Sequence, residues 1–215
     1  MDIGRAFTYM FEDEDWIKKI LIGGLLSIVP IVNFIPMGYF LDALNNIIDG
    51  QELPLPEWNL GEQFMKGLIL FVAGLIYSIP IILVLIVMVV VLAIGGSLEG
   101  DTGEGLVAVC IPASYCLMFL FGLLIAVIMP AAVIKYVDTG QFGAFFRFGE
   151  IFGLITSNLG SYIVALLLAL AASVVAQIVG GIACGIGLLF TMIWAYLVAA
   201  HLFAQFYRPL PAQAS

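Results

Sequence analysis

Hydrophobic positions run along this chain in long unbroken blocks, and polar positions are confined to the gaps between them. Four stretches contain no Asp, Glu, Lys or Arg: residues 20–41, 67–98, 105–134 and 151–207, the last holding the lone His201. An α-helix rises ~1.5 Å per residue and a bilayer's hydrocarbon core is ~30 Å thick, so about 20 apolar residues cross it once. The second and third blocks each predict one long, tilted or kinked crossing, at 62–98 and 105–136. Pro80 and Pro112 lie inside these helices and should kink them, as a hinge or simply as part of the bundle's shape. The last block is too long for one crossing. The run Gly180-Gly181-Ile182-Ala183-Cys184-Gly185-Ile186-Gly187 supplies a turn and divides it into helices at 159–179 and 187–207.

The first block reads differently, because Pro30, Asn33 and Pro36 fall in its middle. Two short helices, near 17–29 and 36–48, predict a broken or re-entrant hairpin over 17–49, tolerated in a membrane only where the rest of the bundle shields its turn. Ahead of it, Ile3, Phe7, Met10 and Phe11 fall at i, i+4, i+7 and i+8, which makes the 1–16 segment an amphipathic helix suited to the interface. The phenylalanine-rich stretch 141–157, with Arg147 and Glu150, reads as a second interfacial segment. The predicted fold class is therefore all-α: a polytopic transmembrane bundle of four full spans, an N-terminal broken or re-entrant hairpin and interfacial amphipathic helices, forming one membrane domain over 1–215.

Composition agrees. The chain is 63% hydrophobic and 10% charged, with a mean hydropathy of +1.17, whereas a soluble domain carries about 25% charged residues. The bilayer is thus the expected partner. A net charge of −8 with no basic cluster argues against nucleic acid, and the absence of a polybasic run argues against strong acidic-lipid binding. Cys110, Cys116 and Cys184 read as free thiols in apolar surroundings. No cleavable signal peptide is evident, so the first apolar stretch is expected to remain as a mature helix.

Basic residues set the orientation, since retained positive charge marks the cytoplasmic side. Lys66, Lys135, Arg147 and Arg208 flank one set of helix ends, while the loop 95–105 and the turn 180–187 contain no basic residue. A multi-pass protein of the cell membrane follows, with the 49–66 and 135–158 connections and the C-terminus cytoplasmic. The N-terminus shares that side if 17–49 is a hairpin, and lies outside if it is a single span. A weak internal repeat links the two connections: Asp49-Gly50-Gln51 with Gly61-Glu62-Gln63-Phe64 echoes Asp138-Thr139-Gly140-Gln141 with Gly149-Glu150-Ile151-Phe152. Either a parallel duplication or chance in glycine-rich sequence would produce it.

The residues Asp15-Trp16-Ile17-Lys18-Lys19, Leu21-Ile22-Gly23-Gly24-Leu25-Leu26, Gly38-Tyr39, Asp49-Gly50, Leu53-Pro54-Leu55-Pro56-Glu57-Trp58 and Gly61-Glu62 carry a resemblance to the domain-of-unknown-function 4013 family of prokaryotic multi-pass membrane proteins. The resemblance lies chiefly in the N-terminal third. It implies a membrane protein without an assigned activity, and supplies no catalytic or binding residues.

The most concentrated polar feature is Asp42, Asn45, Asn46 and Asp49, spaced to share one helix face. Such oxygens would coordinate a cation or line a polar vestibule; equally, they suit a helix end emerging among head groups. Leu53-Pro54-Leu55-Pro56-Glu57-Trp58 is a stiff linker with an interfacial tryptophan, or a docking strip. The run Glu12-Asp13-Glu14-Asp15 would cap the helix that follows or bind a basic partner or metal. His201 and Gln205, one turn apart, form a relay or an interhelical hydrogen-bond pair. The row Ser161, Ala165, Ala169, Ser173 and Gln177 and the row Ala172, Ala176 and Gly180 read as close packing faces or as a substrate path.

One histidine, no Cys-x-x-Cys motif, no nucleophile elbow and no phosphate-cradling loop leave the usual enzyme classes without support and imply no cofactor. The expected function is a non-catalytic membrane scaffold or accessory module, acting on a membrane-protein partner or by self-association; the alternative is a transporter or channel for a small solute or ion.

Overall fold

The computed structural model of the chain describes residues 2–51, 55–97, 101–182 and 185–208. Among the described residues it is all-α, with eight α-helices and two 3-10 turns. Helix α1 is Ile3–Thr8, α2 is Trp16–Leu26, α3 is Phe34–Ile48, α4 is Leu60–Ser97, α5 is Asp101–Thr139, α6 is Phe148–Ser157, α7 is Leu159–Ile182 and α8 is Gly187–Tyr207. Four of them, α4, α5, α7 and α8, are long and apolar enough to cross a membrane.

Helices α4 and α5 run beyond their uncharged blocks, because a helix need not end where the hydrocarbon does. Glu62 and Lys66 at one end of α4 and Lys135 and Asp138 at the end of α5 occupy turns suited to the head groups. Helix α4 continues through Pro80, and α5 through Pro112 and Pro130. By contrast α2, with 11 residues, and α3, with 15, reach only about 17 and 23 Å, so neither crosses a ~30 Å core alone. The break between them covers residues 27–33. Pro36 falls inside the first turn of α3, where its missing N–H has no intrahelical partner to lose.

The chain forms two compact units, one of residues 1–71 and 130–215 and one of residues 72–129. In the first, α8 is central. From Leu197 to Phe206 nearly every side chain is buried, the mark of a helix surrounded by others. Helix α7 lays Ala165, Ala172, Ala176 and Gly180 inward, while Gln177 is exposed. The Thr191 hydroxyl of α8 donates to the Ala176 carbonyl at 2.8 Å, and a side chain at Gly180 would strike Thr191 and Leu188. The row containing Ala172, Ala176 and Gly180 is thus the packing seam. Helix α2 meets α8 through Gly24, which lies against the Phe190 ring, and Gly23, which faces Ile193.

Helices α3 and α4 approach backbone to backbone. A Cβ at Gly38 would collide with the Gln63 carbonyl, and one at Gly67 with the Phe34 carbonyl. Small residues permit this approach and the dispersion contacts that hold helices together where water supplies no hydrophobic drive. Phe34 seals the seam against Phe64 and Phe71.

The apolar stripe of the N-terminal segment divides. Met10 is fully buried and Phe7 packs on Trp194 of α8, whereas Ile3 and Phe11 are exposed. The buried set includes Ala6 and Tyr9, and the Tyr9 hydroxyl donates to the Leu197 carbonyl at 3.0 Å. Helix α6, after a 3-10 turn at Phe142–Phe146, buries Ile151 and Ile155 and exposes Phe148 and Phe152. Both copies of the repeated sequence end a helix with a left-handed glycine, Gly50 at φ +73° and Gly140 at φ +65°, a conformation that costs glycine little. Glu62 and Glu150 each stand in the first turn of a following helix.

In the second unit, the ends of α4 and α5 meet closely where Gly95 faces Val107. Most large side chains of this unit are exposed, as lipid contact requires. Cys116 is exposed and Cys110 half-buried; Leu98, Glu99, Gly100 and Cys184 lie outside the described residues.

The α3–α4 contact generates a stability prediction. Gly67→Ala should lower stability by about 3 kcal/mol through overpacking against backbone. Gly74→Ala, where nothing lies near the added atom, should be neutral or gain up to about 1 kcal/mol from helix propensity. Thermal unfolding in mild detergent, followed by helical circular dichroism, checks both.

Candidate functional site

The α3–α4 contact carries polar consequences at one end of the first unit. Asp42 of α3 is brought against α4, where the Lys66 ammonium lies 2.6 Å from its carboxylate and the Gln63 amide donates to it at 3.1 Å. Gln63 is fully buried and fully used. Its Nε2 also donates to the Glu57 carbonyl at 2.9 Å, and its Oε1 accepts from the Asn59 N–H at 3.1 Å. One amide thereby ties α3, α4 and the entering linker, which satisfies groups that would be costly to bury unpaired.

A second tie fixes the linker to α2. Lys19 is 6% exposed, and its ammonium reaches Asp13 at 2.9 Å and Glu57 at 2.8 Å and donates to the Leu55 carbonyl at 3.3 Å. Burial alone would depress the Lys19 ammonium, but the hydrogen bonds to Glu57 and Asp13 outweigh it and hold the group above the ordinary lysine value. Trp58 continues the attachment by stacking on Tyr39, with centroids 4.1 Å apart. The Trp58 indole N–H and the Tyr39 hydroxyl are both buried without a hydrogen-bond partner. The tryptophan expected to anchor the linker is packed against α2 and α3. Leu53 and Pro54 of the same linker lie outside the described residues.

Beside these ties opens a cleft of about 610 Å³, lined by Glu12, Asp13, Glu14, Asp15, Lys19, Asn46, Gln51, Leu55, Pro56 and Glu57. Five carboxylates against one ammonium make its wall strongly acidic. Asp15 occupies the N-cap position of α2 without a side-chain capping bond. The turn is made instead by Asp13, whose carboxylate accepts from the Asp15 N–H at 2.8 Å while also holding Lys19. Among the described residues, no three His, Cys, Asp or Glu side chains are grouped so as to hold a metal ion.

The four stripe residues are thus divided among different partners. Asp42 serves Lys66 and Gln63, the Asn45 amide donates to Asp49 at 3.0 Å, and Asn46 lines the cleft. Asp49 is the C-cap residue of α3. Lys19, Gln63 and Lys66 carry these ties although none of them stands among the candidate site residues that the sequence offers. A signal was present for two of them: Lys19 lies four residues before Gly23 and Gln63 four before Gly67, so each shares the face that a glycine marks as a close approach.

In the same unit, His201 is 2% exposed and stacks on Tyr9 with centroids 4.6 Å apart. Its Nδ1 lies 2.8 Å from the Gln205 amide nitrogen. Gln205 accepts from the Asp2 N–H at 2.6 Å and donates to the Asp2 carbonyl at 2.9 Å. The pair therefore fastens the N-terminal helix to α8.

Four long apolar helices define a multi-pass all-α membrane protein in a lipid bilayer environment. A family model described as a protein of unknown function (DUF4013) matches residues 22–185, and the chain belongs to that family. The match extends far past the N-terminal residues that carried the resemblance. No curated protein and no solved structure matches the chain.

Removing the Lys19 tie should have two measurable effects. Lys19→Met leaves the buried Asp13 carboxylate without its cation and should cost about 3–5 kcal/mol, with faster proteolysis between residues 50 and 59. Because the folded-state pKa of Lys19 is raised, its contribution is complete below the unfolded lysine value of about 10.4 and is lost as pH rises through the higher folded value. Wild-type thermal stability should carry an alkaline step above about pH 10.4 that Lys19→Met lacks.

Proposed function

We propose that this chain is a non-catalytic membrane module that presents a pre-organised cytoplasmic surface to a partner, either another membrane protein or a second copy of itself. The observation that carries the reading is the use made of the polar side chains. Asp42, Gln63 and Lys66 are tied to one another, and Gln63 and Lys19 are each tied to the 55–59 linker, so that these groups rigidify a connection rather than surround a reacting atom. Catalysis needs a nucleophile or acid–base pair held toward a substrate position, and these groups are committed to structural bonds. A rigid connection lowers the ordering cost of binding. The acidic cleft beside it offers charge and shape to a partner on that side.

A transporter or channel is the second reading, favoured by the same cleft together with the α2–α3 break, since interrupted helices supply backbone groups to substrate sites in many transporters. Flux in proteoliposomes over a broad solute panel, abolished by Asp42→Ala or Asn46→Ala, would establish it in place of the first.

Two measurements test the module reading. Cross-linking in intact membranes followed by purification in mild detergent should recover one reproducible partner or a discrete homo-oligomer; recovery of the bare monomer alone would overturn it. The reading also places the 49–66 and 135–158 connections and the C-terminus in the cytoplasm. A fluorescent reporter fused after Ser215 should therefore mature, and an alkaline phosphatase fused there should stay inactive.

A further inference from the structure

The four spans are of unequal length. Helices α7 and α8 have 24 and 21 residues, or about 36 and 32 Å, close to the ~30 Å hydrocarbon core. In α4 no charged residue follows Lys66 up to Ser97, a contour of about 46 Å, and in α5 none lies between Glu104 and Lys135, about 45 Å. Each of these helices carries some 15 Å more uncharged length than an upright crossing can bury. A flat bilayer thick enough for them would leave α7 and α8 short.

The covering of this excess length is set by its shape. The most apolar 18-residue window of α4 has a mean hydropathy of 3.2 and no buried residue. Leu83, Leu85, Ile86, Val87, Val89 and Val90 are all exposed, spread over an arc roughly twice the ~100° stripe that a packed helix covers. Phe119 and Leu120, adjacent in α5, are exposed as well. A single docked helix would cover a stripe and leave the rest bare; acyl chains fill an arc of any width.

We propose that lipid acyl chains coat the α4–α5 hairpin along its whole uncharged length, so that it crosses the membrane at a steep tilt set by bilayer thickness. Burying about 46 Å in a ~30 Å core requires a tilt near 50°, beyond the usual range of about 0–40°. The hairpin is therefore the part of the chain that responds to thickness, standing more upright as the bilayer thickens. Helices whose length already matches the core have little such freedom.

The test uses the full chain in oriented phosphatidylcholine bilayers with hydrocarbon cores of about 25 and about 35 Å, reading α4 tilt by solid-state NMR of nitrogen-labelled valines. The tilt should fall from about 57° to about 40°. A second readout is Leu92→Cys carrying an environment-sensitive fluorophore, in a chain with Cys110, Cys116 and Cys184 replaced by Ala. An upright α4 would hold position 92 about 39 Å from Lys66, about 14 Å beyond the thinner hydrocarbon core and about 4 Å beyond the thicker one. Quenching by brominated acyl chains in both bilayers is expected. Equal tilt in both bilayers, quenching by aqueous iodide, or shielding from both quenchers would each overturn the proposal. The last outcome would place a protein surface on the hairpin instead.

Discussion

The backbone contact between α3 and α4 is the constraint on which the polar end of this protein depends. Only glycine at positions 38 and 67 lets the two helices come close enough for the carbonyls of Gln63 and Phe34 to occupy the space of a missing Cβ. That approach carries Asp42 to Lys66 and Gln63. Gln63 in turn holds the linker, and the linker's Glu57 completes the surroundings of Lys19 on α2. Packing thus comes first, and the electrostatic ties follow from it. In a membrane protein this order is expected, because apolar side chains gain nothing from leaving lipid for one another and close packing supplies the attraction.

The bundle has two characters. The end built from α1, α2, α3 and the linker is rich in bonds between charged and polar groups, whereas the 72–129 unit is a nearly pure hydrocarbon surface. Each polar tie is inexpensive where water or head groups are near and costly where they are absent. The acidic cleft belongs to the polar end, and its one ammonium is already committed to two carboxylates.

Much of this fold was legible in the sequence. The uncharged blocks marked the four long helices, Pro30 and Asn33 marked the break between α2 and α3, and Pro36 marked the first turn of α3, because proline lacks the N–H that a continuing helix needs but a helix start does not. The DUF4013 family was legible as well, from the residues around Trp16, Gly23 and Trp58. The polar stripe was legible as a pattern but not in its use. Helical spacing aligns Asp42, Asn45, Asn46 and Asp49 on a face, yet cannot say that Asp42 meets Lys66 of another helix while Asn46 meets the cleft. The packing of Trp58 was not legible for the same reason: its pairing with Tyr39 joins positions nineteen residues apart through a fold that local pattern does not encode.

The sequence by itself determined the class of environment, the number of long apolar helices and the places where the chain must turn, since these follow from hydropathy, helix rise and backbone chemistry within one segment. Only the tertiary structure decided which polar groups are neighbours. It sealed His201 under Tyr9, made Lys19 a buried tie rather than a surface twin of Lys18, and split the stripe into an Asp42 tied to α4, an Asn45–Asp49 pair and an Asn46 at the cleft. Those outcomes depend on distances between helices, which glycine contacts set to within an ångström and which no single segment specifies.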